Sequence, residues 1–216
     1  MNKSGHAINS LAPDKHTLRK IFKQIRKKKH EYLESNYEQK ILALKGLEEN
    51  LFKLLDEKTQ KLDMDLIKIA CYSPIKEEID CLTFLKNLNR HFEEKGKILK
   101  ICLPKMFENE RALKFFEYEE DSTILAKYNI KEPDPKKCDE IVPYLIFTPL
   151  LAFDCYKHRL GYGKGYYDNT FISLDNQGIK FISIGIAYDE QFYDKQLPIE
   201  EYDQHLNYVI TPTKIL

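Results

Sequence analysis

No sign of charge dominates this chain: 34 basic and 34 acidic side chains leave a formal net charge of zero over 216 residues. A protein that grips polyanions normally carries a basic excess, so nucleic acid is not expected as a partner. Cysteine is sparse and unpatterned. Cys71, Cys81, Cys102, Cys138 and Cys155 are odd in number and form no C-x-x-C pair, which argues against a disulfide framework and against a zinc site. Their plain reading is buried thiols in a reducing cytoplasm. No apolar run approaches membrane-spanning length, and residues 1–30 lack the apolar core of a signal peptide. A soluble, cytoplasmic protein with no membrane contact is therefore expected. Internal repeats and low-complexity tracts are absent as well.

What remains is ordinary for a globular chain, 43% hydrophobic and 31% charged, at a length suited to one well-packed domain. Residues 1–13 are polar, end in Pro13 and read as a flexible leader, leaving 14–216 as a single domain. Leu18, Ile21, Phe22, Ile25, Tyr32 and Leu33 recur at helical spacing behind Asp14, a suitable N-cap. A second helix is expected from Tyr37 to Leu55, with Gly46 marking a kink or a break.

Strand-like runs follow. They are Leu66 to Tyr72, Ile98 to Leu103 stopped by Pro104, Ile141 to Leu151, Phe181 to Ala187 and Leu206 to Thr211, with a β pair or meander between Leu113 and Leu125. Helices are expected over 77–94, with Ile79, Leu82, Leu85 and Leu88 inward, and from Tyr166 to Leu174. Strands alternating with helices imply an α/β domain with a mostly parallel sheet covered on both faces. Ligands bind such sheets beyond the carboxyl ends of the strands.

The residues that bear chemistry cluster at such a place. Arg159-Leu160-Gly161-Tyr162-Gly163-Lys164-Gly165-Tyr166-Tyr167-Asp168 follows an apolar strand, opens a helix and holds three of the chain's eight glycines. Glycine lets backbone N–H groups turn toward a ligand at close range. The run matches neither G-x-x-x-x-G-K-[ST] nor G-x-G-x-x-G. On residue types alone it is either a structural hairpin or an anion cradle in which Lys164, Arg159 and the helix start converge. Asp168 would serve as a Mg²⁺ ligand or as a helix cap. Lys15 and Arg19, at i and i+4, grip one anion together or belong to a solvated basic face.

Reading outward from the loop, Thr148-Pro149-Leu150-Leu151-Ala152-Phe153-Asp154, four residues, then Arg159 to Asp168 resembles the signature of the 5-formyltetrahydrofolate cyclo-ligase (5,10-methenyltetrahydrofolate synthetase) family. That family reads V-P-G-L-A-F-D, a short glycine-containing turn, then R-L-G-x-G-x-G-Y-Y-D. Lys15-x-x-Leu18-Arg19 resembles its N-terminal K-x-x-L-R, and Ser73-Pro74 with Glu77-Glu78-Ile79-Asp80 resembles the segment carrying its folate-binding acid. Pro198 to Thr211, with Tyr202-Asp203, resembles its C-terminal P-x-x-x-x-D-x-x-L-x-x-I-I-T.

The resemblance implies a three-layer αβα fold of the NagB/CoA-transferase-like kind, with N-terminal helices packed on the sheet. It implies MgATP-dependent conversion of 5-formyltetrahydrofolate to 5,10-methenyltetrahydrofolate with release of ADP and phosphate, by a monomer. Lys164 and Arg159 become the catalytic cations. ATP is assigned to Lys15, Arg19, Arg159, Leu160, Gly161, Tyr162, Gly163, Lys164, Gly165, Tyr166 and Tyr167. Folate is assigned to Ile75, Asp80 with Glu78 as second choice, Tyr162, Gly163, Lys164, Gly165 and Tyr166, and Mg²⁺ to Asp168 and Asp203. The alternative is a catalytically silent folate- or nucleotide-binding relative, or a sugar-phosphate-type enzyme on the same scaffold. Three departures stand out: Leu150 replaces the signature's glycine, Cys155-Tyr156-Lys157-His158 supplies a turn without glycine, and Cys81 replaces a threonine after the acid. The first two imply an altered local turn with the ligand-facing positions kept.

Overall fold

The structure, a computed structural model, describes residues 13–60, 65–125 and 130–216. Of the leader expected over 1–13, residues 1–12 lie outside the described residues. In chain order the elements are α1 (Lys15–Ser35), α2 (Tyr37–Gln60), β1 (Leu66–Ala70), α3 (Leu85–Glu93), β2 (Ile98–Lys105), β3 (Lys114–Glu117), β4 (Thr123–Leu125), β5 (Lys131–Pro133), β6 (Leu145–Pro149), β7 (Ala152–Phe153), β8 (Arg159–Leu160), α4 (Tyr166–Asn176), β9 (Ile182–Ile186) and β10 (Tyr208–Ile210). The main sheet is six-stranded in the order β10-β9-β6-β1-β2-β3. All its neighbours pair in parallel except β3, which runs antiparallel to β2 at the edge. The mostly parallel α/β reading therefore holds.

Period-two alternation sorts the strand side chains into two cores. Ile67, Ile69, Leu145, Phe147, Ile184 and Ile186 face α2 and α3 through Leu51, Leu54, Leu55, Leu88 and Phe92. Ala70, Ile146 and Val209 meet Phe171 and Leu174 of α4 on the other side. A third cluster joins Leu18 and Phe22 of α1 to Leu151, Ala152 and Leu160 of the β7–β8 hairpin. The first helix is thereby fixed over the loops at the carboxyl end of β6. Asp14 starts it as expected, accepting from Thr17 N at 2.7 Å.

Several expectations need correction. Gly46 does not break α2, which runs on to Gln60. A Cβ there would collide with the Pro212 carbonyl oxygen, so this glycine admits the C-terminal segment. The helix expected over 77–94 begins only with a 3-10 turn at Cys81–Phe84 and becomes α3 at Leu85. Residues 75–80 are instead a loop in which Lys76 takes a positive φ of 55°. Pro104 does not stop β2, which continues to Lys105. β1 ends opposite Cys102, so beyond that point β2 pairs, among the described strands, with β3, and a missing N–H on its other side is tolerated. No meander joins Leu113 to Leu125: β3 enters the main sheet, and β4 pairs with β5 in a separate hairpin. The strand expected over 141–151 is confined to Leu145–Pro149.

Candidate active site

The strand order reverses between β1 and β6, since the chain steps outward to β2 on one side and to β9 and β10 on the other. Ligand-binding crevices form at such a switch point, and a cavity of about 800 Å³ opens at the carboxyl ends of these strands. Tyr72 and Ser73 enter it from the end of β1, and Pro149 from the end of β6. That volume lies within the range of ligand pockets.

The glycine-rich loop forms one wall. It is launched by the β7–β8 hairpin, whose turn is organised by Asp154, a carboxylate with no solvent exposure. Asp154 accepts from Tyr156 N at 2.9 Å, His158 N at 3.0 Å and Leu197 N at 2.9 Å, and its Oδ2 lies 2.9 Å from His158 Nδ1. Lys157 takes the left-handed conformation in this turn, with φ 64°. The departure from a glycine-containing turn is thus accommodated by a non-glycine residue under strain. Leu150, the other departure, has no positive φ, and its side chain packs where a Cβ on Gly185 would lie 2.7 Å away.

Beyond the hairpin, Gly163 and Gly165 adopt φ of 95° and 69°, conformations that glycine reaches without the steric cost met by other residues. A Cβ on Gly163 would come within 3.1 Å of the Arg19 guanidinium, which reaches from α1 and donates through Nε to the Gly161 carbonyl at 3.0 Å. Gly165 is the N-cap of α4 and offers no side chain, so the first turn of that helix is left open for an acceptor. Lys164 is exposed and, among the described residues, makes no hydrogen bond or ion pair.

The remaining charges are paired with one another. Arg159 donates to Asp168 Oδ1 through Nη2 at 2.7 Å and to the Gln204 carbonyl through Nη1. Its side chain is 5% exposed, and that burial pulls its pKa down, while Asp168 and Asp203 oppose the shift. Asp168 also accepts from Gln204 N at 3.0 Å, so it ties the C-terminal segment to the loop and does not cap its own helix. Lys15 is bonded to Asp203 Oδ2 and lies 3.1 Å from Glu200, while Glu200 N donates to the same Asp203 oxygen at 2.7 Å.

Around Glu78 the character changes. Glu78 is buried, accepts from Ile75 N at 2.8 Å through Oε2, and lines the cavity. Burial raises its pKa, and the Ile75 N–H and Arg26 pull the other way. Tyr162 receives a hydrogen bond from Arg26 Nη2, and the Lys23 ammonium stands 5.3 Å from its ring centroid. Burial pushes the phenols of Tyr162 and Tyr167 up.

Lys15, Arg19, Ile75, Glu78, the whole run from Arg159 to Asp168, and Asp203 therefore meet around one cavity, although α1 and Asp203 are 188 residues apart at the Lys15–Asp203 pair. Asp80 is not among its lining residues. It is exposed, and its side chain and carbonyl accept from Leu82 N at 2.9 Å and Thr83 Oγ1 at 2.7 Å, where it starts the 3-10 turn. Cys81 is buried beneath the Tyr72 carbonyl. Sequence reasoning passed over Arg26, Glu132 and Lys105. Arg26 follows Leu18 and Phe22 at four-residue steps, so a charge on the apolar stripe was its signal. Glu132 lines the cavity and is 3.0 Å from Lys105, a pairing between strands that no local pattern announces.

The acids also bear on a metal. Among the described residues no group of three or more His, Cys, Asp or Glu could hold an ion unaided. Asp168 and Asp203 fit Mg²⁺ differently: each commits one oxygen, Oδ1 and Oδ2 respectively, to the bonds above. One carboxylate oxygen on each is left without a hydrogen bond among the described residues, and an ion held there would need its other ligands from phosphates and water, the usual habit of Mg²⁺.

Comparisons with known proteins bear on the family and the fold. A model of the 5-formyltetrahydrofolate cyclo-ligase family matches residues 12–212. A 5-formyltetrahydrofolate cyclo-ligase of Mycoplasma genitalium is 34% identical over 190 residues, which are 82% of this chain and 98% of that protein. One of Escherichia coli K12 is 40% identical over 111 residues, 48% of this chain and only 57% of the relative's length. A solved 5,10-methenyltetrahydrofolate synthetase from Mycoplasma pneumoniae superposes with TM-score 0.61 and 26% identity, covering 93% of this chain and 99% of that one. The Aquifex aeolicus 5,10-methenyltetrahydrofolate synthetase, at 23% identity and TM-score 0.62 over 93% of this chain and 91% of its own, shares the fold.

Proposed function

The chain belongs to the 5-formyltetrahydrofolate cyclo-ligase family, and we propose that it closes 5-formyltetrahydrofolate to 5,10-methenyltetrahydrofolate at the expense of ATP, as a monomer in the cytoplasm. The observation that carries this reading is the one cavity lined by Lys15, Arg19, Arg159 and Lys164, by Asp168 and Asp203, and by the buried Glu78. No polyanion-binding surface is needed for it, and no helix among the described residues is long and apolar enough to cross a membrane.

The chemistry explains why such a set is required. An N-formyl group is an amide, and its oxygen is a poor leaving group when N10 attacks the carbon. Transfer of the γ-phosphoryl group to that oxygen, with ADP departing, converts it into an iminium phosphate. N10 then attacks the formyl carbon, loses its proton, and phosphate leaves with the former formyl oxygen. Phosphoryl transfer asks mainly for positioning and charge stabilisation. Lys164, unpaired on the glycine loop, meets the charge on the transferring phosphoryl, with loop N–H groups as further donors. Lys15 and Arg19 take the rest of the triphosphate, and Arg159 anchors Asp168 beneath it. Mg²⁺ between Asp168 and Asp203 would supply neutralisation of the phosphate oxygens. Glu78 and Ile75 take the pterin, whose N–H groups need an acceptor, with Tyr162 and Tyr166 packing on its faces. Asp80, turned away from the cavity, has no part in this assignment.

Mixing the purified protein with MgATP and 5-formyltetrahydrofolate tests the proposal through the absorbance of the methenyl product. Appearance of that absorbance only when ATP is present supports it, and its absence beside an active reference enzyme refutes it.

A further inference from the structure

Arg26 is a charge placed where charge is strongly disfavoured. It lies on the inner stripe of α1 and is 2% exposed. A buried guanidinium needs partners for its donors. Its Nη1 donates to the Leu150 carbonyl at 3.3 Å and its Nη2 to the Tyr162 hydroxyl, with the guanidinium 5.5 Å from the Tyr162 ring centroid. Carboxylates are near but not closed upon it: Glu78 Oε1 is 3.6 Å and Glu77 Oε2 3.9 Å away. Arg26 Nε and Glu78 Oε1 both have no hydrogen-bond partner among the described residues.

Stability alone does not account for this arrangement, because well-packed apolar residues replace buried ion pairs without loss, and an open pair gains less still. Site geometry does account for it. Leu150 and Tyr162 hold the two ends of the guanidinium fork, so it cannot swing onto Glu78. The carboxylate keeps a nearby positive charge, and its buried Oε1 is left without a hydrogen-bond partner at the edge of the cavity. Gln191 Nε2 shares the Leu150 carbonyl at 2.8 Å and steadies that anchor.

We propose that Arg26, which touches no cavity space itself, is a positioning residue for the folate end of the site, fixing the Tyr162 ring and poising the Glu78 carboxylate for the pterin. This rests on the function proposed above. Arg26 also bears on ionisation. Glu78 is faced by Arg26 from α1, Tyr162 and Tyr167 from the glycine loop and α4, Tyr72 from the end of β1, and Glu77 from its own segment. Arg26 supplies the cation in that set, and it favours the ionised carboxylate.

The experiment compares the full chain with R26K, R26M, Y162F and R26M/Y162F. It measures steady-state kinetics with 5-formyltetrahydrofolate and MgATP varied separately, calorimetric binding of 5-formyltetrahydrofolate alone, and thermal melts. R26M should raise the KM for folate about tenfold or more while the KM for ATP stays within about threefold. The acid limb of kcat/KM for folate should move to higher pH in R26M and stay near wild type in R26K, which keeps the charge. R26K should still show the raised KM, because one ammonium cannot hold Leu150 and Tyr162 together. The double variant should be little worse than R26M, since Arg26 acts through Tyr162. An equal rise in both KM values, or a lowered melting temperature with folate KM and acid limb unmoved, would overturn the inference. If R26M does not fold, R26K and Y162F carry the same comparison. A wild-type protein that bound no 5-formyltetrahydrofolate would overturn the proposed function and this inference together, whereas wild-type binding with a non-selective loss in the variants would overturn the inference alone.

Discussion

The two ends of the cavity hold their charges in opposite ways. At the proposed phosphate end, Arg159 is closed on Asp168 and Lys15 on Asp203, and Lys164 alone stands without a partner among the described residues. At the folate end, Arg26 and Glu78 stand 3.6 Å apart and each keeps an unpartnered atom. The first arrangement suits a ligand that arrives with its own charge and counter-ion: phosphates can take over the cations while Mg²⁺ takes over the acids, and the number of ion pairs is kept. The second suits a neutral heterocycle that brings N–H donors and no charge. A closed Arg–Glu pair would have to be broken to admit it, and the open pair avoids that desolvated rearrangement.

Breaking the phosphate end should give the largest effect. Lys164→Ala removes an exposed ammonium with no structural partner, so the fold should survive while turnover falls by ~10²–10³; kcat beside a circular-dichroism melt checks both parts. A near-normal kcat would place the phosphoryl elsewhere. Glu78→Gln comes next, with a folate KM raised by about 10- to 100-fold and an ATP KM little changed, as expected for loss of a charged hydrogen-bond acceptor. Parallel increases in both KM values would erase the distinction between the ends.

The same residue sharpens the comparison through pH. Burial raises the Glu78 pKa above its ordinary 4.5. The folded protein therefore holds this proton more tightly than the unfolded chain does. Glu78 contributes stability below the ordinary value and loses that contribution as pH rises through the raised one. As pH rises from the ordinary value through the raised one, the denaturant midpoint of Glu78→Gln should therefore gain on that of the wild type, and a constant difference between the two would show that the carboxyl is not perturbed in solution. The smallest effect belongs to the turn that feeds the loop. Lys157→Gly should stabilise by about 1 kcal/mol through relief of the left-handed strain, less what glycine gives up in the unfolded chain, read from the denaturant midpoint.

Much of the phosphate end was legible because it is local. A run from Arg159 to Asp168 carries its glycines, cations and acid within one loop, and the Phe181 to Ala187 stretch announces the buried strand beside it. What escaped depended on contacts between distant segments. The helix expected over 77–94 had suitable apolar spacing, yet the Ile75 N–H to Glu78 bond and the positive φ of Lys76 commit residues 75–80 to a loop that faces the cavity. That loop turns Glu78 inward and Asp80 outward, a choice that an aligned motif leaves open. Gly46 looked like a helix breaker because the approach of Pro212 is invisible in a linear pattern. Arg26 was hidden in a basic run and distinguished from it only by the stripe it shares with Leu18 and Phe22.

The central claim is that the formyl oxygen is phosphorylated in this cavity, and isotope transfer tests it most directly. With 5-formyltetrahydrofolate labelled with oxygen-18 in the formyl group and unlabelled MgATP, one turnover should carry the label into inorganic phosphate as the methenyl product forms. Release of the label into water, with unlabelled phosphate, would mean that ATP is hydrolysed without activating the formyl group and would contradict the account.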